Sequence, residues 1–170
     1  GAVACKLWKN VGMEILRGDG RPLLPDDPLL DPVYQWLEQE GHPLLIHAAD
    51  PPAAWQPPGD DGRPPSAYLR QNPQWHLHNR RNMPDRSTIL AARDRILERH
   101  PRLTVIGAHL GSMEDDLPGL AERLRRFPRF AVDLSARTVA LLRQDHGLVR
   151  DFLMEFSDRI LWGSDAVQRT

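Results

Sequence analysis

Apolar and polar positions alternate with a period of two in several short stretches of the chain. In residues 103–112, LTVIGAHLGS, Val105, Gly107 and His109 fall on one face and Ile106, Ala108 and Leu110 on the other. This pattern predicts a buried strand with an apolar face under helices and an opposite face ending in a lone imidazole. Residues 43–50 repeat the layout, with His47 on the face of Leu45. Residues 130–137 set Ala131, Asp133, Ser135 and Arg137 against Phe130, Val132 and Leu134. Residues 159–166 set Leu161, Gly163 and Asp165 against Ile160 and Trp162. At the start of the chain, residues 2–8 set Ala4, Lys6 and Trp8 against Val3, Cys5 and Leu7.

Helical spacing fills most of the intervals. Residues 31–40 read as a helix with Asp31 as N-cap, Pro32 at the first helical position, a stripe of Val33, Trp36 and Leu37, and Gly41 as its stop. Residues 85–99 carry Ile89, Ala92, Ile96 and Leu97 on one face and close at His100-Pro101. Residues 115–126 carry Leu117, Leu120 and Leu124 and end before Pro128. Residues 139–156 are expected to be helical with a break at Gly147. Residues 10–27 read as a loop. Residues 50–82 form a long proline-rich insertion with Trp55, Tyr68, Trp75, His76 and His78. Because it leaves the strand that bears His47, it is expected to serve as a lid or substrate wall.

Strands and helices therefore alternate from end to end, which implies parallel strands joined by right-handed crossovers. Neither G-x-G-x-x-G nor G-x-x-x-x-G-K-[ST] follows any strand, which removes the usual support for a nucleotide-binding fold. A closed (β/α)8 barrel needs eight strands and about 250 residues. Five strands in 170 residues read as the last five of a TIM-type barrel. On that reading residues 1–170 are one partial α/β barrel domain, cut at both ends.

Composition narrows the function classes. The net charge of −1 offers no basic surface for nucleic acid or an anionic membrane. No stretch approaches the roughly 18 apolar residues of a membrane span. One cysteine excludes an internal disulfide, and a reducing, cytosolic setting is the expectation. Cys5 is expected to be inert packing. His42, His100 and His146 are expected to be solvated, and His76 and His78 to be surface loop residues.

His47, His109 and Asp165 end three different strands and are expected to converge at one rim. Two imidazoles and a carboxylate suit a divalent metal, zinc first, with manganese or iron also compatible. Such a site can lower the pKa of water to about 7 while a carboxylate takes its proton. Asp133 and Arg137 read either as a site for a substrate carboxylate or as an ion pair. Trp8 shares its face with Lys6 and is a candidate pocket wall.

The stretches PLLIHAAD, RHPRLTVIGAHLGS, FAVDLSA and DRILWGSDA together resemble the amidohydrolase superfamily. Within it they resemble the amidohydrolase-related branch that includes carboxymuconate-semialdehyde decarboxylases and pyrone-dicarboxylate lactonases. The resemblance spans essentially the whole chain, from the fourth to the eighth strand of that barrel. It implies that His47 is the fifth-strand metal ligand. It implies that His109 is a sixth-strand ligand or water-activating acid/base, and Asp165 the eighth-strand ligand that handles a proton. Lys6 matches the fourth-strand position where some members carry a carbamylated lysine; otherwise it orients a carboxylated substrate or pairs with an acid. The family's first-strand His-x-His does not open this chain, and His76-Leu77-His78 has the spacing but lies in the insertion.

The expected function is a metal-dependent hydrolase acting on a small, carboxylated ester, lactone or amide. A non-oxidative decarboxylase on the same residues is the alternative. An inactive half-barrel that binds a ligand, or pairs its open sheet edges in a homo-oligomer, is the rival from another class.

Overall fold

A computed structural model describes residues 1–57, 66–78 and 80–166. Five short strands form one sheet: β1 (Cys5–Leu7), β2 (Leu44–Ile46), β3 (Val105–Gly107), β4 (Phe130–Asp133) and β5 (Ile160–Leu161). Their spatial order is their chain order, and every neighbouring pair is parallel. Lys6, Leu45, Ile106 and Ala131 lie in register across four strands, and Asp133 pairs with Leu161. This is the expected partial β/α barrel.

The intervening helices cover one face. Leu44, Ile46, Val105, Phe130 and Val132 are all within 1% of full burial and join the helices in the main core. Leu45, Ile106 and Ala131, on the opposite face, are only partly buried. For β3 this reverses the expected faces: Val105 and Gly107 pack under the helices, and Ile106 points the other way. The cause is local. Gly107 is pressed against the turn that follows it, so that a Cβ there would lie 2.8 Å from the Gly111 Cα and 3.1 Å from the Phe130 ring. The strand stops at Gly107, two residues before His109.

Helix ends follow their caps. Asp85 accepts from the Thr88 amide at the start of Arg86–Arg99, and Asp116 accepts from the Gly119 amide at the start of Leu117–Arg126. The expected break in 139–156 separates Thr138–Leu142 from His146–Glu155. It falls before Gly147, because the Asp145 carboxylate accepts from the Leu148 amide and starts the second helix. Asp31–Glu40 ends at Gly41 with a φ of 71°, but Asp31 lies inside the helix and Leu30 holds the N-cap position. Its buried residues are Tyr34 and Leu37, while Val33 and Trp36 are exposed. Tyr34 can face inward because its hydroxyl donates to the Pro25 carbonyl at 2.6 Å.

Parts of the expected loops are ordered turns. A short helical turn, Asn10–Met13, follows β1. After β2 come a 3-10 turn (Pro52–Trp55), a helix (Ser66–Gln71) and a second 3-10 turn (Pro73–Trp75). His100 is buried rather than solvated, with Nε2 3.1 Å from Asp31 Oδ1.

Candidate metal centre

His47 and His109 meet where β2 and β3 end. The His47 amide donates to the Leu7 carbonyl at 2.9 Å, which continues the β1–β2 ladder by one step. The two imidazole centroids lie 4.4 Å apart at an interplanar angle of 67°. Asp50, three residues after His47, completes the group. One candidate ligand atom from each of His47, Asp50 and His109 lies within 4.8 Å of the other two. All three residues are buried.

His109 is held in an unusual backbone. His109, Leu110, Gly111 and Ser112 all have φ between 55° and 60°, a left-handed turn of which three members are not glycine. That conformation costs about 1–2 kcal/mol per non-glycine residue and persists only where its surroundings fix it. Here the fixing contacts are specific. The buried Arg93 donates through Nη1 to the Gly111 carbonyl at 2.6 Å. The Asp133 carboxylate accepts from the backbone amides of His109 and Ser135 at 2.9 and 3.0 Å. The His109 ring Nδ1 lies 2.8 Å from the Ser135 carbonyl. A carbonyl only accepts, so Nδ1 carries the proton, and in the neutral ring Nε2 then keeps a free lone pair.

Charge around the site is layered. His47 Nε2 lies 3.1 Å from Asp50 Oδ2, and the Arg137 guanidinium donates to Asp50 Oδ1. Burial opposes the charge on Asp50, but the His47 hydrogen bond and Arg137 outweigh it and hold the carboxyl well below the usual range. Burial pulls the His47 imidazole below its ordinary value despite Asp50, which favours the neutral, ligating form. Arg137 Nε lies 2.7 Å from Glu114 Oε1. Burial nevertheless pushes Glu114 up to about 7.

The remaining expected site residues are distributed as follows. Asp165 follows β5, is exposed, has a φ of 57° and lies outside the group of three. Its charge is felt at Arg137. Lys6 is exposed on the sheet face opposite the helices. Trp8 packs edge-on against Trp75 with centroids 5.2 Å apart. Arg137 is engaged by Asp50 and Glu114, not by Asp133. His76 and His78 stack on one another and reach the Gln56 and Trp55 carbonyls, and neither is in the group of three.

Sequence reasoning missed Asp50 and Glu114. Asp50 stood in the quoted PLLIHAAD stretch, and the left-handed φ of 56° at Ala49 turns the chain just before it. No strand-face rule reaches it. Glu114 lies two residues past the left-handed turn, where face rules also lapse.

The donor set fits a divalent metal: two imidazoles, one of defined tautomer, and one carboxylate that keeps its charge at neutral pH. His47, His109 and Asp50 are the described residues that could hold it. Among the described residues, no helix is long and apolar enough to cross a membrane.

Comparison with known proteins agrees with this architecture. No curated protein matches the chain. Among solved structures it is similar to 2,6-dihydroxybenzoate decarboxylase bound to 2,6-dihydroxybenzoate, with 20% identity, 96% of this chain and 51% of that chain covered, and a TM-score of 0.50. It is similar to dihydroorotase from Campylobacter jejuni, with 12% identity, coverages of 98% and 45%, and a TM-score of 0.51. An uncharacterised TIM-barrel protein from Bordetella bronchiseptica gives 21% identity, coverages of 84% and 40%, and a TM-score of 0.47. The chain thus spans about half or less of each of these proteins. A family model described as amidohydrolase matches residues 10–167, nearly the whole length, and the chain belongs to that amidohydrolase family.

Proposed function

We propose that this chain carries part of the active site of a metal-dependent hydrolase that attacks a small ester, lactone or amide with water. The observation that carries the reading is the approach of His47, Asp50 and His109 to within 4.8 Å in a buried setting. In this proposal His47 and His109 offer imidazole nitrogens to the metal, and Asp50 offers a carboxylate oxygen. A divalent ion, zinc first, supplies Lewis acidity and makes water acidic enough to ionise near neutral pH.

The chain's own groups do the rest. His109 has Nδ1–H fixed on Ser135, so its Nε2 is the atom that binds the ion or handles a proton. Asp165, exposed at the same end of the sheet, accepts the proton of the attacking water. Arg137 keeps Asp50 ionised and in place. Lys6 and Trp8 remain candidates for contact with the substrate. Residues 1–170 are read as part of one barrel domain, and the cytosol as its setting.

A lyase reading shares these groups. The free Nε2 of His109 suits delivery of a proton to carbon, and the 2,6-dihydroxybenzoate decarboxylase has this fold over 96% of the chain. One experiment separates the two. The zinc-loaded protein is offered a panel of lactones, esters, amides and hydroxylated aromatic acids, and products are identified by mass. Hydrolysis products support the proposal. Carbon dioxide from the acids, with the panel otherwise untouched, overturns it in favour of the lyase.

A further inference from the structure

Lys9 is 3% exposed. Its ammonium donates to the Tyr68 hydroxyl at 2.9 Å and lies 4.9 Å from the Tyr68 ring and 4.8 Å from the Trp75 ring. Among the described residues no carboxylate pairs with it, whereas seventeen ion pairs engage other side chains. A buried ammonium without a counter-ion is expensive. Two aromatic faces and one phenol recover part of that cost and leave two of its three N–H donors for another acceptor.

Its position gives this cation a use. Lys9 lies two residues beyond β1, whose last residue accepts from the His47 amide. Trp8, half exposed, meets Trp75 edge-on beside it. The result is one cation with indole and phenol walls, just past the strand end that accepts from the His47 amide. The segment that supplies Tyr68 and Trp75 comes from the interval between β2 and the helix Arg86–Arg99.

We propose that Lys9 anchors the carboxylate of a small planar ligand in a subsite walled by Trp8, Tyr68 and Trp75. The carboxylate takes the N–H donors that Tyr68 leaves unused and supplies a counter-charge that no described residue gives. The ring rests against the indoles. Because the ammonium is covered, the ligand enters when the segment bearing Tyr68 and Trp75 lifts. This deepens the functional proposal above, on which it rests only in taking the ligand's reacting group to lie at His47 and His109.

The test uses benzoate as probe and benzamide as its uncharged counterpart. The full chain, labelled with 13C-lysine, is titrated with each, and the Lys9 Cε resonance is assigned by its loss in Lys9→Arg. Benzoate is expected to shift that resonance saturably and to change tryptophan fluorescence in step; benzamide is expected to do neither. Lys9→Met is expected to weaken benzoate binding by at least about tenfold, and Lys9→Arg by less than about threefold. An unmoved Lys9 resonance, or equal shifts with both probes, overturns the proposal. So does a folded Lys9→Met variant that binds benzoate as tightly as the parent. If Lys9→Met fails to fold by circular dichroism, the titration of the unaltered chain decides alone. Metal content and turnover are measured separately. Benzoate at Lys9 in a chain without either would refute only the hydrolase, and turnover with an inert Lys9 would refute only the subsite.

Discussion

The ring Nδ1 of His109 lies 2.8 Å from the carbonyl oxygen of Ser135, and this contact fixes which nitrogen of that imidazole is free. The residue that supplies the carbonyl stands two positions past Asp133, whose carboxylate holds the amides of both His109 and Ser135. One carboxylate on β4 thus joins the turn after β3 to the turn after β4.

His109→Gln is expected to lower turnover of the zinc-loaded protein by at least about a hundredfold. If His109 acts on protons, metal content by mass spectrometry falls by less than about threefold. Equal loss of both makes it a ligand instead.

Asp50→Asn removes the charge that faces His47 and Arg137 but keeps the shape. Metal affinity, measured by competition with a coloured chelator, is expected to fall about 10–100-fold. Unchanged affinity would exclude Asp50 from the centre and leave it a partner of Arg137 alone.

Glu114 makes stability depend on pH. Its carboxyl titrates near 7 in the fold against an ordinary value of 4.5, so the folded chain holds a proton that the unfolded chain has lost. The associated stability is full below 4.5 and is lost as the pH rises to about 7, an effect of about 2–3 kcal/mol. Asp50 acts in the opposite sense: its contribution is present above the ordinary aspartate value of 3.8 and is lost as acid protonates it. Burial of the neutral His47 imidazole acts against this over the same range, so the urea midpoint at pH 5 minus that at pH 8 is compared between the metal-free parent and its Glu114→Gln variant. In Glu114→Gln that difference should fall; a difference of the same size would assign it to another group.

Arg93→Met removes the donor to Gly111 and leaves that carbonyl without its buried partner. A loss of about 2–4 kcal/mol in unfolding free energy is expected from urea denaturation. If the turn is what presents His109, metal affinity falls as well. A destabilised variant with parental metal affinity would confine Arg93 to stability.

The alternation of strand-like and helical stretches determined the parallel sheet and its order, because strand and helix periods are properties of neighbouring residues. It also marked His47 and His109 as residues at strand ends. Gly41 marked the end of the helix Asp31–Glu40 through its backbone geometry, whereas Asp31 lies inside that helix and Leu30 holds the N-cap position. What lies beyond the strand ends was decided by the tertiary structure. The β3 faces follow from the contacts of Gly107 with Gly111 and Phe130, which no alternation pattern encodes. Asp50 joins the histidines because the backbone turns left-handed at Ala49, and Arg137 reaches it from 87 residues away. Lys9 is covered by Tyr68, 59 residues on. Periodicity ends where regular backbone ends, and there the position of a side chain depends on residues distant in sequence.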